Sequence, residues 1–323
     1  MNDQSLLFRA EPDEKLRQAA RRYLGEEMTA ARILSGGLFN TTYRLETENS
    51  KVILRLGPVN RHLLLPYERN LMAAEGDILN LLKSRGIPTS DILVLDGTRE
   101  LFDRDVMVVD CLEAACLSTV EVDRETEHRL CREAGRLTAE IHKLTAADLP
   151  GSFGKPFGRY ANVLSGQGGA TWREALLTEL SQWRSLAEPA GIFESCECDR
   201  IEAWFHARSG VLDAVTVPHL VHGDLWYGNI LVDKDHNLAA IIDGDRAFFG
   251  DPDFEMATGW MISDSFLEGY GRGLDMSEEA VLRRRLYKLL LNLEDCYILF
   301  GEYSNPEAGA ELKQRILEEI AQP

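Results

Sequence analysis

The stretch HLVHGDLWYGNILVDKDHNLAAIIDGD, residues 219–245, decides how this chain is read. Two apolar runs each end on an aspartate: His219-Leu220-Val221 leads to Asp224, and Leu238 to Ile242 leads to Asp243. Asn229 lies between them, five positions after Asp224. The segment NILVDKDHNLAAIID predicts a short hairpin that returns the chain, so that Asp243 faces the same cavity as the loop ahead of it. Folding alone would accept Ser or Gly at such strand ends, so carboxylates placed straight off them suggest a site built to hold charge.

The chain has 323 residues, 45% of them hydrophobic. That suffices for a sizeable core and predicts division into two lobes. No apolar run approaches the roughly 18 residues of a membrane span. The start, MNDQSLLFRAEPDEKLRQ, lacks the basic opening and apolar core of a signal peptide. Six cysteines in a chain of this length are no disulfide framework, and Cys196 and Cys198 form C-x-C without the second pair a zinc site needs. A reducing cytoplasm is the expected location. The net charge of −18 argues against nucleic acid as a partner. Residues 1–110 hold 17 acids against 15 bases, so most of the excess lies further on, where it favours a cationic ligand.

Upstream, DEKLRQAARRYL (13–24) sets Leu16, Ala20, Tyr23 and Leu24 at helical spacing, with Gly25 as C-cap. ARIL, TTYRLET and KVILRL predict an antiparallel meander. Residues 68–83 predict a helix whose apolar stripe of Leu71, Ile78, Leu79 and Leu82 also carries Glu75. ILVLDG and DVMVVDCL predict two more strands. After about residue 113 the pattern turns helical, in RETEHRLCREAGRLTAEIHKL, TWREALLTELSQWRSLA, DRIEAWFHA and EEAVLRRRLYKLLLNLEDCYILF. The only strands expected there are those of residues 219–245. GKPFGRYANVLSGQGGA (154–170) is Gly-rich and predicts a surface loop. The expected architecture is α+β: a small β-rich lobe over residues 1–110, a larger, mainly helical lobe over 111–323, and a hinge at 110–114.

His222-Gly223-Asp224-Leu225, three further residues and then Asn229 reproduce the H-x-D-L-x-x-x-N spacing of a kinase catalytic loop. Phosphoryl transfer needs a hydroxyl aimed in line and a neutralised polyphosphate. Asp224 suits the first task, accepting the hydroxyl's hydrogen bond and then its proton. Asn229 and Asp243 offer the hard oxygens that Mg²⁺ prefers. His222 is expected to brace the loop. At this point the chain resembles the aminoglycoside phosphotransferase family, small-molecule kinases with a bilobal, protein-kinase-like fold, from about residue 33 to residue 259. That family has Gly where protein kinases have Arg, as Gly223 does here. It continues from its metal-binding Asp to an acidic residue and a G-D-P turn, matched by Asp243, Asp245 and Gly250-Asp251-Pro252. Gly244 departs from the aromatic or aliphatic residue common after the metal Asp.

The resemblance implies a nucleotide site in residues 1–110 and a catalytic and acceptor site in 111–323. LSGGLFNTTY is similar to the family's strand–turn–strand loop over the phosphates, which makes Ser35, Gly36, Gly37 and Asn40 candidates for holding ATP. Gly36 and Gly37 would allow close approach and positive φ. No Walker loop occurs. Arg55 stands where protein kinases have lysine, and Glu75, buried on its helix, needs a cation. Arg55 is expected to bridge Glu75 and the phosphates, although Lys51 shares its strand face. MVVDCLEA resembles the hinge, where Asp110 and Leu112 would offer backbone groups to adenine. Trp226-Tyr227 is expected to fill the interior of the catalytic loop, and HGDLW followed by G-N is similar to the fructosamine-kinase branch.

The expected activity is MgATP-dependent phosphorylation of a hydroxyl on a small molecule, an amino sugar or other cationic polyol. Asp264, Glu268, Glu294 and Asp295 are candidate anchors for its amine. Glu294 and Asp295 interrupt the otherwise apolar LLLNLEDCYILF, and Trp260, Phe266 and Tyr270 are candidate cavity walls. A ketosamine, choline-like amine, homoserine-like amino alcohol or thiosugar is an alternative acceptor. A nucleotide-binding scaffold without catalysis is the alternative of a different class.

Overall fold

Alternation of buried and half-exposed side chains builds a five-stranded antiparallel sheet in the first lobe. Its strands are β1 (Met28–Ile33), β2 (Thr41–Thr47), β3 (Lys51–Leu56), β4 (Ile92–Asp96) and β5 (Val106–Asp110), in the order β1-β2-β3-β5-β4. Tyr43 faces Leu54 across β2 and β3, and Leu54 faces Val108 across β3 and β5. Helix α1 (Asp13–Leu24) packs Leu16, Ala19 and Ala20 onto this apolar side and ends at Gly25, whose φ of 70° is the left-handed cap. Helix α2 (Leu71–Ser84) buries Glu75 along with Leu71, Ile78, Leu79 and Leu82. The computed structural model describes residues 5–34, 37–258 and 261–322.

The second lobe comprises β6 (Ala114–Cys116), α3 (Arg124–Ile141), β7 (Gly158–Arg159), α4 (Tyr160–Leu164), α5 (Trp172–Ala187), α6 (Ser195–Arg208), β8 (His219–Val221), β9 (Ile230–Asp233), β10 (Leu238–Ile241), β11 (Phe248–Gly250), α7 (Asp253–Thr258), α8 (Asp264–Tyr270), α9 (Glu278–Gly301) and α10 (Pro306–Ala321). The hairpin read from the sequence is β9–β10. Two small sheets, β10-β9-β6 and β7-β11-β8, need strands outside residues 219–245, which corrects the expectation that this lobe has none. The chain is therefore an α+β fold of two lobes. Among the described residues no helix is long and apolar enough to cross a membrane.

The segment 154–170 is not a surface loop. Phe157 to Val163 are buried, and β7 and α4 run through the core. Its glycines allow close contact. A Cβ on Gly168 would lie 2.3 Å from the Lys155 carbonyl oxygen, and one on Gly169 would lie 2.4 Å from the Ala175 amide. A second close approach joins α3 to α8. A Cβ on Gly135 would sit 2.0 Å from the Phe266 carbonyl oxygen, and one on Gly269 would sit 1.8 Å from the Arg132 carbonyl oxygen. Each helix thus needs a glycine beneath the other's backbone.

Candidate active site

Strand β8 delivers the chain into the loop that carries Asp224. The buried Glu255 of α7 accepts from the amides of His222, at 2.8 Å, and Gly223, at 3.2 Å. Burial alone would raise the Glu255 pKa, but His142 and His222 hold it below the usual range. Gly223 has φ 81°, and a Cβ there would meet the Arg246 carbonyl oxygen at 2.5 Å, so only glycine fits. His222 accepts the Asp224 amide at Nδ1, 3.3 Å away, which leaves Nε2–H to donate to the Ile242 carbonyl at 3.0 Å. His222 therefore ties the loop to the segment ending at Asp243 and is the brace expected of it.

Asn229 donates through Nδ2 to both the Asp224 carbonyl (2.8 Å) and the Asp224 carboxylate (3.0 Å). Its Oδ1 is left for another partner. Burial pushes the Asp224 pKa up to about 7, against the pull of Arg246, and Asp243 adds to the rise. Tyr227 donates to Glu127 of α3 at 2.9 Å and anchors the loop. Trp226, expected inside the loop, is 41% exposed and folds back over Gly228, while Tyr227 alone turns inward to Glu127 and Cys131.

Asp243 sits at φ 65°, ψ 52°, a left-handed conformation open to Asp. Arg55 meets it, Nη2 to Oδ1 at 2.9 Å, and its Nη1 pairs with Glu75 Oε1. Lys51 is exposed at the other end of β3, so Arg55 is the cation at this centre. Glu75 Oε2 is buried with no hydrogen-bond partner. One oxygen each from Glu75, Asp243 and Asp245 lies within 4.8 Å of the others. Burial raises the Glu75 pKa to about 7, with Arg55 opposing. Burial, then Asp243 and Glu75, drives Asp245 well above the carboxylate range. Arg55 bonds two of these acids and Asp245 feels both Arg246 and Arg55; their oxygens, with Asn229 Oδ1, are the donor chemistry a hard divalent cation takes. The residues fit Mg²⁺. Gly244 is explained by packing: a Cβ there would press on Ile78 Cγ2 of α2 at 3.1 Å.

Ser35 and Gly36 lie outside the described residues. Gly37 is exposed and has no left-handed φ, and a Cβ there would meet only the Asn40 carbonyl at 3.7 Å, so the fold itself does not demand glycine. Asn40 is half-buried just before β2. The Asp110 carboxylate accepts the Asp91 amide at 2.7 Å, which makes that side chain structural. Leu112 is half-buried where the chain passes from β5 to β6. In the G-D-P turn, Asp251 accepts from Tyr287 at 2.7 Å and Arg283 at 2.8 Å, fastening β11 to α9.

The acceptor candidates divide. Asp264 is exposed in the first turn of α8, and Glu268 is exposed and paired with Arg132 at 3.0 Å; neither bonds to the catalytic loop. Phe266 is core, and Tyr270 bonds His142 Nδ1 at 2.7 Å. Trp260 lies outside the described residues. Glu294 is not an anchor either. It is buried against Arg159, with Tyr67 Oη at 3.5 Å, because Arg159 lies in the core and needs anions. Asp295, the next residue of α9, is half-buried, with no hydrogen bond or ion pair among the described residues, and burial raises its pKa against the pull of Arg246. Nothing in the sequence singled out Arg159 or Arg246. The only signal for Arg246 is a base directly after Asp243-Gly244-Asp245.

A model of the phosphotransferase enzyme family (APH) matches residues 30–287. Among solved structures, a thermostable mutant of the aminoglycoside phosphotransferase APH(4)-Ia superposes with a TM-score of 0.67 at 17% identity, covering 95% of this chain and 100% of that one. The same enzyme has been solved with AMP-PNP and hygromycin B. A GDP and kanamycin complex of an APH(2")-type enzyme gives 0.66 at 12% identity over 96% and 99% of the two chains. A candidate fructosamine-3-kinase from Haemophilus somnus gives 0.66 at 14% over 95% and 97%. These likenesses establish a shared bilobal, kinase-like fold.

Proposed function

Because the chain belongs to the phosphotransferase enzyme family, we propose that it moves the γ-phosphoryl group of ATP, with Mg²⁺, to a hydroxyl of a small molecule. The observation that carries this reading is the convergence of Asp224 and Asn229, bonded at 3.0 Å, with the Arg55–Glu75–Asp243 centre. The acceptor oxygen bonds to phosphorus, the bond from phosphorus to the bridging oxygen breaks, and ADP leaves. The hydroxyl proton passes to the Asp224 carboxylate, whose pKa of about 7 matches a base working near neutrality. Arg55 faces the α- and β-phosphates from Glu75, and Ser35, Gly36, Gly37 and Asn40 form the loop over them. The backbone of Asp110 and Leu112 faces adenine. Asn229 and Asp243 hold the metal. Bound Mg²⁺ supplies positive charge against that accumulating on the transferring oxygens. In this reading residues 1–110 hold the nucleotide, 111–323 carry the acceptor, and the chain bends at 110–114.

The acceptor in this reading carries a cation, as an amino sugar or other amino polyol does. The net charge of −18 and Asp295, which has no ion pair among the described residues, support that class. Hygromycin B and kanamycin bind structural neighbours. HGDLW followed by G-N, with the Haemophilus somnus structure, favours a ketosamine as second choice. All six cysteines are free thiols, which supports a cytoplasmic setting. ADP release across a panel of amino sugars, ketosamines, amino alcohols and neutral sugars tests this. Turnover of neutral sugars alone would overturn the charge argument. MgATP binding without transfer to any acceptor would turn the chain into a scaffold.

A further inference from the structure

Arg246 is a half-buried cation held by one long ion pair. Its side chain is 19% exposed, and its one ion pair, to Glu68 Oε1, is long at 3.6 Å. Glu68 Oε2 accepts the Leu65 amide at 2.9 Å, and Oε1, buried and facing Arg246, has no hydrogen-bond partner among the described residues. Among the described residues the guanidinium makes no hydrogen bond, although it has five N–H donors. A buried charge left like this is costly unless something bonds to it.

The groups facing Arg246 come from several elements. Tyr67 and Glu68 belong to the turn ahead of α2, Asp224 to the catalytic loop, and Tyr303 to the link after α9. Glu294 and Asp295 of α9 also feel its charge. Arg55 instead answers to Glu75, Asp243 and Asp245. Asp245 feels both arginines, Arg246 ahead of Arg55. Among the described residues Arg55 bonds only Glu75 and Asp243, whereas Arg246 borders Asp224 and reaches the turn ahead of α2 and α9. Asp295 and Arg246 influence each other yet form no ion pair. Among the described residues both have spare bonding capacity, and Arg246, whose carbonyl packs against Gly223, borders the catalytic carboxylate.

We propose that Arg246 is an anion subsite of the acceptor pocket, so that the acceptor carries a carboxylate or similar oxyanion alongside the cation facing Asp295. This rests on the phosphotransferase reading and narrows its substrate class to zwitterionic hydroxy compounds. The guanidinium fork takes a carboxylate through two parallel hydrogen bonds. An acceptor without the anion leaves the fork unbonded, and sites built to bond a polar group reject the analogue lacking it strongly.

The test is calorimetric titration of the full chain loaded with MgADP, using matched probes. These are L-homoserine against its primary amide, and D-glucosamine against 2-amino-2-deoxy-D-glucuronic acid. The carboxylate member of at least one pair is expected to bind about tenfold tighter or better. Arg246→Gln is expected to erase that ratio while MgADP affinity stays unchanged, and Arg246→Lys to restore part of it. Equal binding within both pairs, or no binding by either carboxylate, overturns the subsite. So does an Arg246→Gln enzyme that keeps the ratio but loses MgATP turnover, which would assign Arg246 to the transferring phosphoryl group. If Arg246→Gln fails to fold, the wild-type ratios and Arg246→Lys decide. Failure of wild type to bind MgADP or to release ADP with any acceptor would sink the phosphotransferase reading itself, a separate outcome.

Discussion

Arg55 and Asp243, 188 positions apart, meet across the two lobes with Nη2 and Oδ1 at 2.9 Å. The other arm of the same guanidinium holds Glu75. One side chain from the sheet thereby fixes both helix α2 and the turn that carries Asp243. Arg55→Ala would leave Glu75 and Asp243 without the cation they share. Stripping one partner from a buried ion pair costs about 3–5 kcal/mol, and urea unfolding should show a loss of that order. Nucleotide KM should rise about tenfold or more, the weight of one charge-assisted contact.

Asp224→Asn should lower phosphoryl transfer by about 10²- to 10⁴-fold, the usual contribution of a general base. MgADP affinity, read by calorimetry, should stay within about threefold of wild type. The wild-type kcat/KM should climb as pH rises through about 7, where Asp224 gives up its proton. The residual rate of the variant should lack that limb.

The same carboxyl has a stability consequence. Its folded-state pKa of about 7 lies above the ordinary 3.8, so the folded chain binds this proton more tightly than the unfolded one. The stabilisation is complete below about pH 4 and disappears as pH rises through 7. Asp224→Asn should therefore melt higher than wild type at pH 8, with the gap shrinking towards pH 4. Thermal scans without metal across that range check it.

Glu294 and Asp295 are adjacent on α9 and should behave oppositely. Glu294→Ala leaves the buried Arg159 without its main anion and should destabilise by about 3–5 kcal/mol in urea. Asp295→Asn removes a carboxylate without a hydrogen bond or ion pair among the described residues, and stability should change by under about 1 kcal/mol. Its KM for cationic acceptors should rise, whereas Glu294→Gln, if folded, should keep the acceptor order.

Local spacing carried most of the centre. Asp224 and Asn229 are five residues apart in one loop, so their juxtaposition is written in the chain, and the hairpin that follows brings Asp243 back to them. Glu75 was legible because an acid on an apolar helix face demands a cation, and Arg55 was within reach. Arg159 was not, because the glycines around it look like those of a loop, and only the packing of Gly168 against Lys155 and of Gly169 against Ala175 shows that these two are steric necessities. Glu294 stood out as an acid interrupting an apolar helix and was taken as a candidate anchor, and the structure buries it. Its partner came from that misjudged segment, so a structural ion pair was mistaken for a ligand anchor. Arg246 and Asp295 depend on how α9 and the segment after Asp243 pack together, a relation between distant residues that no local pattern encodes.

The crossing of α3 and α8 binds the history of two codons. Gly135 and Gly269 each lie where any side chain would strike the opposite backbone at about 2 Å. A lineage that mutates one must move a whole helix before it can prosper, so the pair should be inherited together. Where relatives have rebuilt this corner, both glycines should vanish at once, and a library randomised at the two positions should return little but the parental combination.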